Sequence, residues 1–259
     1  MENHRFYLST ISADAADTAR RYGLGLEIAE YFTAYYMMDG HFPETDAAVR
    51  EKLAGIARVT LHAPFNELFP CAIDPRARAL AADRFREATA LAKRYGAEKV
   101  VIHGGYNPQI YFPCWYTEQS ALFWKDFLRE DPGVDIVLEN VLEEEPDYLL
   151  DIVRAADHPR LGLCLDVGHA NAYSAVPAME WLERLAPYLR HFHLHNNNGS
   201  FDAHAPLNEG GIPMKELLQK ALALCPAATF ALEVPENTAR GARWLAENGF
   251  ITGERKAWQ

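Results

Sequence analysis

The segment LGLCLDVGHAN, residues 161–171, opens with an apolar run of strand length, closes it on Asp166 and adds His169 three residues later. A carboxylate at the end of an apolar run is costly to bury unless it is paired or bound to a cation. The figure recurs along the chain. LGLEIAEYF (24–32) carries Glu27, VTLHAPF (59–65) His62, KVVIHGGY (99–106) His103 and DIVLENV (135–141) Glu139. HFHLHNNNG (191–199) carries His193 and His195, and TFALEV (229–234) carries Glu233. His, Asp and Glu make up about one residue in five. Finding such a residue at the end of seven out of eight strand candidates is more than chance placement gives.

The strand candidates are Phe6–Ile11, Leu24–Ala29, Val59–His62, Lys99–His103, Asp135–Glu139, Leu161–Asp166, His191–His195 and Thr229–Val234. Segments of helical periodicity separate them. The clearest is Pro75–Tyr95, with Asp74 as N-cap, Pro75 at the first helical position and Gly96 just beyond the end. Others are Glu118–Arg129, Asp147–Ala156, Pro213–Leu224 and Asn237–Glu247, with shorter ones at Ala13–Tyr22, Glu44–Gly55 and Pro177–Leu185. Strict alternation implies a parallel sheet with helices outside. An open nucleotide-binding sheet would want a glycine-rich loop after its first strand, but SADAAD stands there. The expected fold is therefore an α/β (β/α)8 TIM barrel, one domain over residues 1–259, a length such barrels commonly have.

Composition narrows the function. With 49% hydrophobic residues the chain is not disordered. No apolar run reaches the roughly 20 residues of a membrane helix, and no secretory signal is visible, so a cytoplasmic location is expected. Four cysteines without a C-x-x-C pair fit reduced thiols rather than disulfides or a zinc knuckle. A net charge of −11 disfavours a broad basic surface for nucleic acid, though a local groove can still be positive. A homo-oligomer is compatible with the sequence, which fixes no subunit number.

The carboxyl ends of barrel strands converge on one mouth, where catalytic residues gather. Carboxylates and imidazoles crowded there repel or titrate one another unless a divalent metal joins them, and nitrogen and oxygen donors suit zinc or manganese alike. Glu139, Asp166, His193 and Glu233 form the expected metal shell. His62, His103 and His169, with Asp202 and His204 from FDAHAPLNEGG, are further candidate ligands, so one to three ions are expected. Glu27 is expected to hold an imidazole or a substrate hydroxyl, or to pair with an arginine. His195 shares the parity of His193 and faces inward, as substrate contact or support. Asn196–Asn198 reads as turn chemistry, Tyr35–Met38 as core or loop packing with a pocket wall as the alternative, and Trp115 and Tyr116 as packing at a helix start rather than a stacking platform.

In order and over nearly the whole chain, these segments resemble the xylose isomerase-like TIM-barrel superfamily, which includes sugar isomerases, sugar (phosphate) epimerases and endonuclease IV. The resemblance implies a four-ligand metal site of Glu139, Asp166, His193 and Glu233, the two glutamates doubling as an acid/base pair on opposite faces of the substrate carbon. It also matches the three zinc sites of endonuclease IV: His62, His103 and Glu139; Glu139, Asp166, His193 and Glu233; and His169, Asp202 and His204. Phe65 stands where that nuclease has tyrosine, and its DNA-penetrating loops are not recognisable here.

The leading expectation is metal-dependent isomerisation or epimerisation of a small sugar or sugar phosphate through an enediolate. A substrate phosphate is expected on the amides near Gly210–Gly211. The alternatives are an endonuclease IV-like multi-zinc phosphodiesterase, acting on abasic DNA or a smaller phosphoester, and a barrel whose metal is only structural.

Overall fold

Two side-chain parities build the molecule, a computed structural model that describes residues 2–254. On each strand one set of alternate residues is large and apolar and packs outward on the helices. The other set is small or polar and faces the barrel axis. Leu138, Leu163, Leu165, Phe192, Phe230 and Leu232 belong to the outward core, which is continuous with the helices and includes fully buried Trp124 and Trp181. Each such side chain contributes about 1.5–3 kcal/mol on burial. Inside, Val101, Val137 and Cys164 form a small separate cluster.

The strands are β1 (Phe6–Ser9), β2 (Gly25–Ile28), β3 (Val59–His62), β4 (Lys99–His103), β5 (Asp135–Glu139), β6 (Leu161–Asp166), β7 (Leu189–Leu194) and β8 (Thr229–Leu232). They close in sequence order, β8 pairing with β1, and all pairs are parallel. This is the expected (β/α)8 barrel. His103 pairs with Glu139, and Asp166 with His193. Pairing side by side sets the chemistry-bearing residues at one height.

The α-helices among the described residues are α1 (Ala15–Tyr22), α2 (Phe42–Leu53), α3 (Pro75–Tyr95), α4 (Pro113–Phe127), α5 (Pro146–Ala156), α6 (Val167–Tyr173), α7 (Ala178–Leu185), α8 (Met214–Leu224) and α9 (Thr238–Glu247). The α3 signals act as read: the Asp74 side chain accepts the Arg76 amide at 2.7 Å, and Gly96 takes φ +67°, a left-handed C-terminal stop. No helix among the described residues is long and apolar enough to cross a membrane.

Several elements differ from expectation; β7 runs Leu189–Leu194 rather than His191–His195, and β8 ends at Leu232 rather than Val234. The first strand stops at Ser9 rather than Ile11, because the Thr10 hydroxyl turns to Glu30 (2.6 Å) and to the Ala29 amide (2.9 Å). Helix α4 starts at Pro113, five residues before the expected Glu118. Its proline sits where no amide donor is needed, and Tyr116 is buried within the first turn. The sequence reading missed α6, which begins directly after β6.

Candidate metal centre

Inward parity brings residues from six rim positions into contact. His193, near the end of β7, lies at the centre. Its Nδ1 is 3.0 Å from Glu139 Oε1, 3.5 Å from Glu233 Oε2 and 3.8 Å from Asp166 Oδ2. Glu139, Asp166, His193 and Glu233 offer one donor atom each, all within 4.8 Å of one another, and all four are buried. Glu139 comes from β5 and Glu233 follows β8, so two carboxylates from well-separated strands flank one space.

Two satellite groups share the mouth. His62 and His103 place Nε2 at 3.3 and 3.5 Å from Glu139 Oε2. On the other side, Asp202 Oδ2 is 3.2 Å from His169 Nε2 and 2.9 Å from His204 Nε2. His195 joins this second group. Its Nε2 is 3.0 Å from Asp166, and its ring stacks on His204 at 3.9 Å. The sequence candidates thus meet at one mouth.

Three rings are oriented by Nδ1 so that Nε2 faces the cluster. His62 Nδ1 donates to the Ala63 carbonyl (2.8 Å), His169 Nδ1 to the Asn140 carbonyl (2.9 Å) and His204 Nδ1 to the Glu233 carbonyl (2.7 Å). These tautomers are assigned from the partners. His204 adopts φ +44°, a strained backbone that aims its ring at Asp202. Gly168 is required: a Cβ there would lie 1.9 Å from the His195 ring.

Glu27 sits below, fully buried. Its Oε2 accepts from Thr60 (2.9 Å) and His191 Nε2 (3.0 Å), and its Oε1 lies 2.9 Å from His193 Nε2. The structure therefore places Glu27 on imidazoles and a threonine rather than on an arginine. His191 was missed by the sequence reading, although it shares the parity of His193. Asn140 was missed too. Its side chain bonds both the amide and the carbonyl of Asp166 at 2.9 Å and pins that carboxylate's backbone.

Electrostatics push the groups apart. Burial opposes ionisation of Glu139, but the charge of His193 beside it prevails and holds the carboxyl well below the usual range. Burial lifts Glu233 above that range, His193 offsetting part of the rise. Burial drives His103 down to about 3. For His204, burial works against the cation, but the bond to Asp202 wins and lifts it to about 9.

The expected phosphate place at Gly210–Gly211 is already used. The Gly211 amide donates to the Asn197 carbonyl at 2.7 Å, and the Ile212 amide to Asn196 Oδ1 at 3.1 Å. The asparagine run is turn chemistry, as read: Asn197 and Asn198 side chains accept from Gly199 and Ser200 amides. Trp115 and Tyr116 are packing residues, bonding the Cys71 carbonyl (2.8 Å) and buried Glu143 (2.6 Å).

A closed parallel barrel whose strand ends gather buried carboxylates and imidazoles is a barrel whose mouth could hold a metal. The chain belongs to the xylose isomerase-like TIM barrel family, which residues 19–248 match. It is 34% identical to an uncharacterised protein of Methanocaldococcus jannaschii over 62% of this chain, a match spanning 59% of that relative. It is 27% identical to fructoselysine 3-epimerase of Escherichia coli O157:H7, over 60% of this chain and 58% of the relative. The crystal structure of a D-tagatose 3-epimerase-like protein superimposes with TM-score 0.78 and 25% identity, covering 94% of this chain and 96% of that one.

Proposed function

We propose that the protein is a metal-dependent sugar isomerase or epimerase, moving a proton at a carbon beside a carbonyl. One observation carries the reading: Glu139 and Glu233 face each other across His193 and Asp166, in a four-donor group that is buried throughout. The relatives named as 3-epimerases support the same reaction class.

The donor set fits a divalent cation. Glu139 Oε2, His195 Nδ1 and Asp202 Oδ1 are buried without a hydrogen-bond partner, an arrangement that costs stability unless a ligand meets it. Glu139, Asp166, His193 and Glu233 would hold the ion, and oxygen and nitrogen donors admit zinc and manganese equally. When bound, such an ion supplies positive charge to the substrate oxygens that become negative as the carbon acid ionises. Glu27 Oε1 lies beside His193 Nε2 at 2.9 Å, and His193 Nδ1 faces the group. One glutamate takes the proton from the substrate carbon, and the other returns one from the opposite face, which inverts the centre. Return of the proton to the neighbouring carbon, with the hydroxyl proton passing from one oxygen to the other, would give the isomerase outcome instead.

A second reading has its own observation. His62, His103 and Glu139 form one further donor group, and His169, His195, Asp202 and His204 form another. Three occupied groups would fit a multi-zinc phosphodiesterase. The test is metal content per chain, deuterium incorporation at a ketose carbon, and cleavage of an abasic-site duplex. About one ion with exchange into sugar supports the epimerase. Three zincs with duplex cleavage and no exchange overturns it.

A further inference from the structure

Building on the epimerase reading, we propose that the non-reacting end of the substrate is not a phosphate but an apolar or amine-bearing group, seated in a cavity between the rims of β1 and β2 and helix α2. Two places at the mouth are candidates for this end. One lies where the loops after β7 and β8 meet the start of α9, a place where barrels often hold phosphate on helix amides. Here the chain fills it with its own carboxylate. Asp14, from the loop after β1, accepts from the Thr238 amide (3.1 Å), the Thr238 hydroxyl (2.8 Å) and the Ala239 amide (3.3 Å). A phosphate would need to displace an anion already bonded there. A cavity of about 360 Å³ runs from His204 to this turn, and Arg240 on its wall is paired with Glu209. The Gly211 and Ile212 amides are taken as well.

The other place is open. A cavity of about 440 Å³ is walled by Ile11, Phe32 and Tyr36 on its apolar side. These three side chains remain 38–48% exposed. Two stacked rings connect it to the metal centre: Phe65 lies 4.3 Å from the His103 ring, and Phe32 6.0 Å from Phe65. Its one lysine, Lys52, is 2.7 Å from Glu30 and is spent on that pair. Glu44 adds a second carboxylate to the wall. Free hydroxyls alone would cover this apolar surface poorly, and a phosphate would meet Glu44 with no unpaired lysine or arginine on the wall, whose His41 packs on the Tyr35 ring. An alkyl, aryl or aminoalkyl group joined to the sugar matches both features.

The test compares a ketohexose, its terminal phosphate ester and the same ketose bearing an aminoalkyl group. The full chain is used with manganese supplied. Equilibrium binding by calorimetry is measured beside deuterium exchange, with Phe32→Ala, Asp14→Ala and the near-isosteric Asp14→Asn as variants. The conjugate is expected to bind at least about tenfold more tightly than the free ketose, and the phosphate ester more weakly than either. Phe32→Ala should reduce the conjugate's advantage to about threefold or less. Both Asp14 variants should gain affinity for the phosphate ester, and Asp14→Asn keeps that arm readable if the alanine variant fails to fold. Equal binding of all three sugars, or preference for the phosphate ester by the unaltered chain, overturns the inference. Preferential binding of the conjugate without exchange in any sugar upholds this pocket and removes only the epimerase reading.

Discussion

The barrel interior holds two buried polar regions, and they are built on opposite terms. Near the floor, Lys99 Nζ donates to Thr229 Oγ1 (2.8 Å), and Thr229 meets His191 Nδ1 (2.6 Å). His191 Nε2 then donates to Glu27 Oε2 (3.0 Å). Burial pushes His191 down to about 4, so the ring is neutral and each link in this chain has a donor and an acceptor. At the mouth, a few ångströms along the axis, carboxylate and imidazole atoms face one another with several left unpartnered. A satisfied network stabilises a fold, whereas an unsatisfied one is retained where a ligand completes it. Glu27 is the hinge between them, with one oxygen on His191 below and the other on His193 above.

Substitutions can break or sharpen this contrast. Glu139→Gln has the largest expected effect: turnover falls by about a thousandfold or more, because both metal holding and proton transfer are lost. The metal-free variant should still unfold within a few degrees of the parent. Near-normal turnover would contradict both functional readings. Next, His191→Phe removes one hydrogen bond each from Thr229 and Glu27 Oε2, which keep Lys99 and Thr60, and should cost about 1–3 kcal/mol in denaturant unfolding. Metal should still bind, more weakly by about tenfold as His193 loses its support. Destabilisation without any change in affinity would uncouple floor from mouth.

Metal comes third. A divalent cation at about a hundred times its dissociation constant should add about 2.7 kcal/mol, raising the melting temperature by roughly 5–10 °C, reversibly with chelator. No shift with manganese or zinc would mean the orphaned atoms serve something else. The smallest effect is one of slope. An unfolded histidine takes up a proton near pH 6.5, whereas folded His191 refuses it until about pH 4. The unfolded state binds more protons across that window, so the contribution of His191 is full above pH 6.5 and shrinks as pH falls toward 4. Stability of the metal-free protein against pH, parent minus His191→Phe, should show this loss. An unchanged slope would mean that folded His191 takes up its proton over the same pH range as the unfolded chain.

Much of this was legible because it follows from period-two alternation. His193 and His195 share a parity, as do Val137 and Glu139, so once the barrel was inferred the inward set followed. His191 obeys the same rule, but it stands at the start of its run, away from the strand end where a barrel gathers its chemistry. Lys99 reads as an ordinary solvated lysine. Its partner Thr229 is 130 residues away across the barrel, and only closure of the sheet brings them together. The Gly210–Gly211 misplacement has a similar cause. Glycine spacing suggests amides open to a ligand, not that Asn197, 14 residues earlier, holds the Gly211 amide and Asn196, 16 residues earlier, the Ile212 amide. Helix α4 begins five residues before the expected Glu118 because Pro113 at its first position starts a helix rather than interrupting one.

Asp166 is the last residue of β6, and its carboxylate accepts the His169 amide (2.7 Å) to cap the helix that follows at once. Strand, ligand and helix are therefore joined with no spacer. Inserting even one residue there would unseat the ligand and uncap the helix together, so this sector of the rim cannot lengthen. The stretch from Asn196 to Pro213 has no such constraint on its exposed tip around Ser200. Diversification of substrate range among homologues should accordingly accumulate in that long excursion, while the β6–α6 junction keeps a constant length.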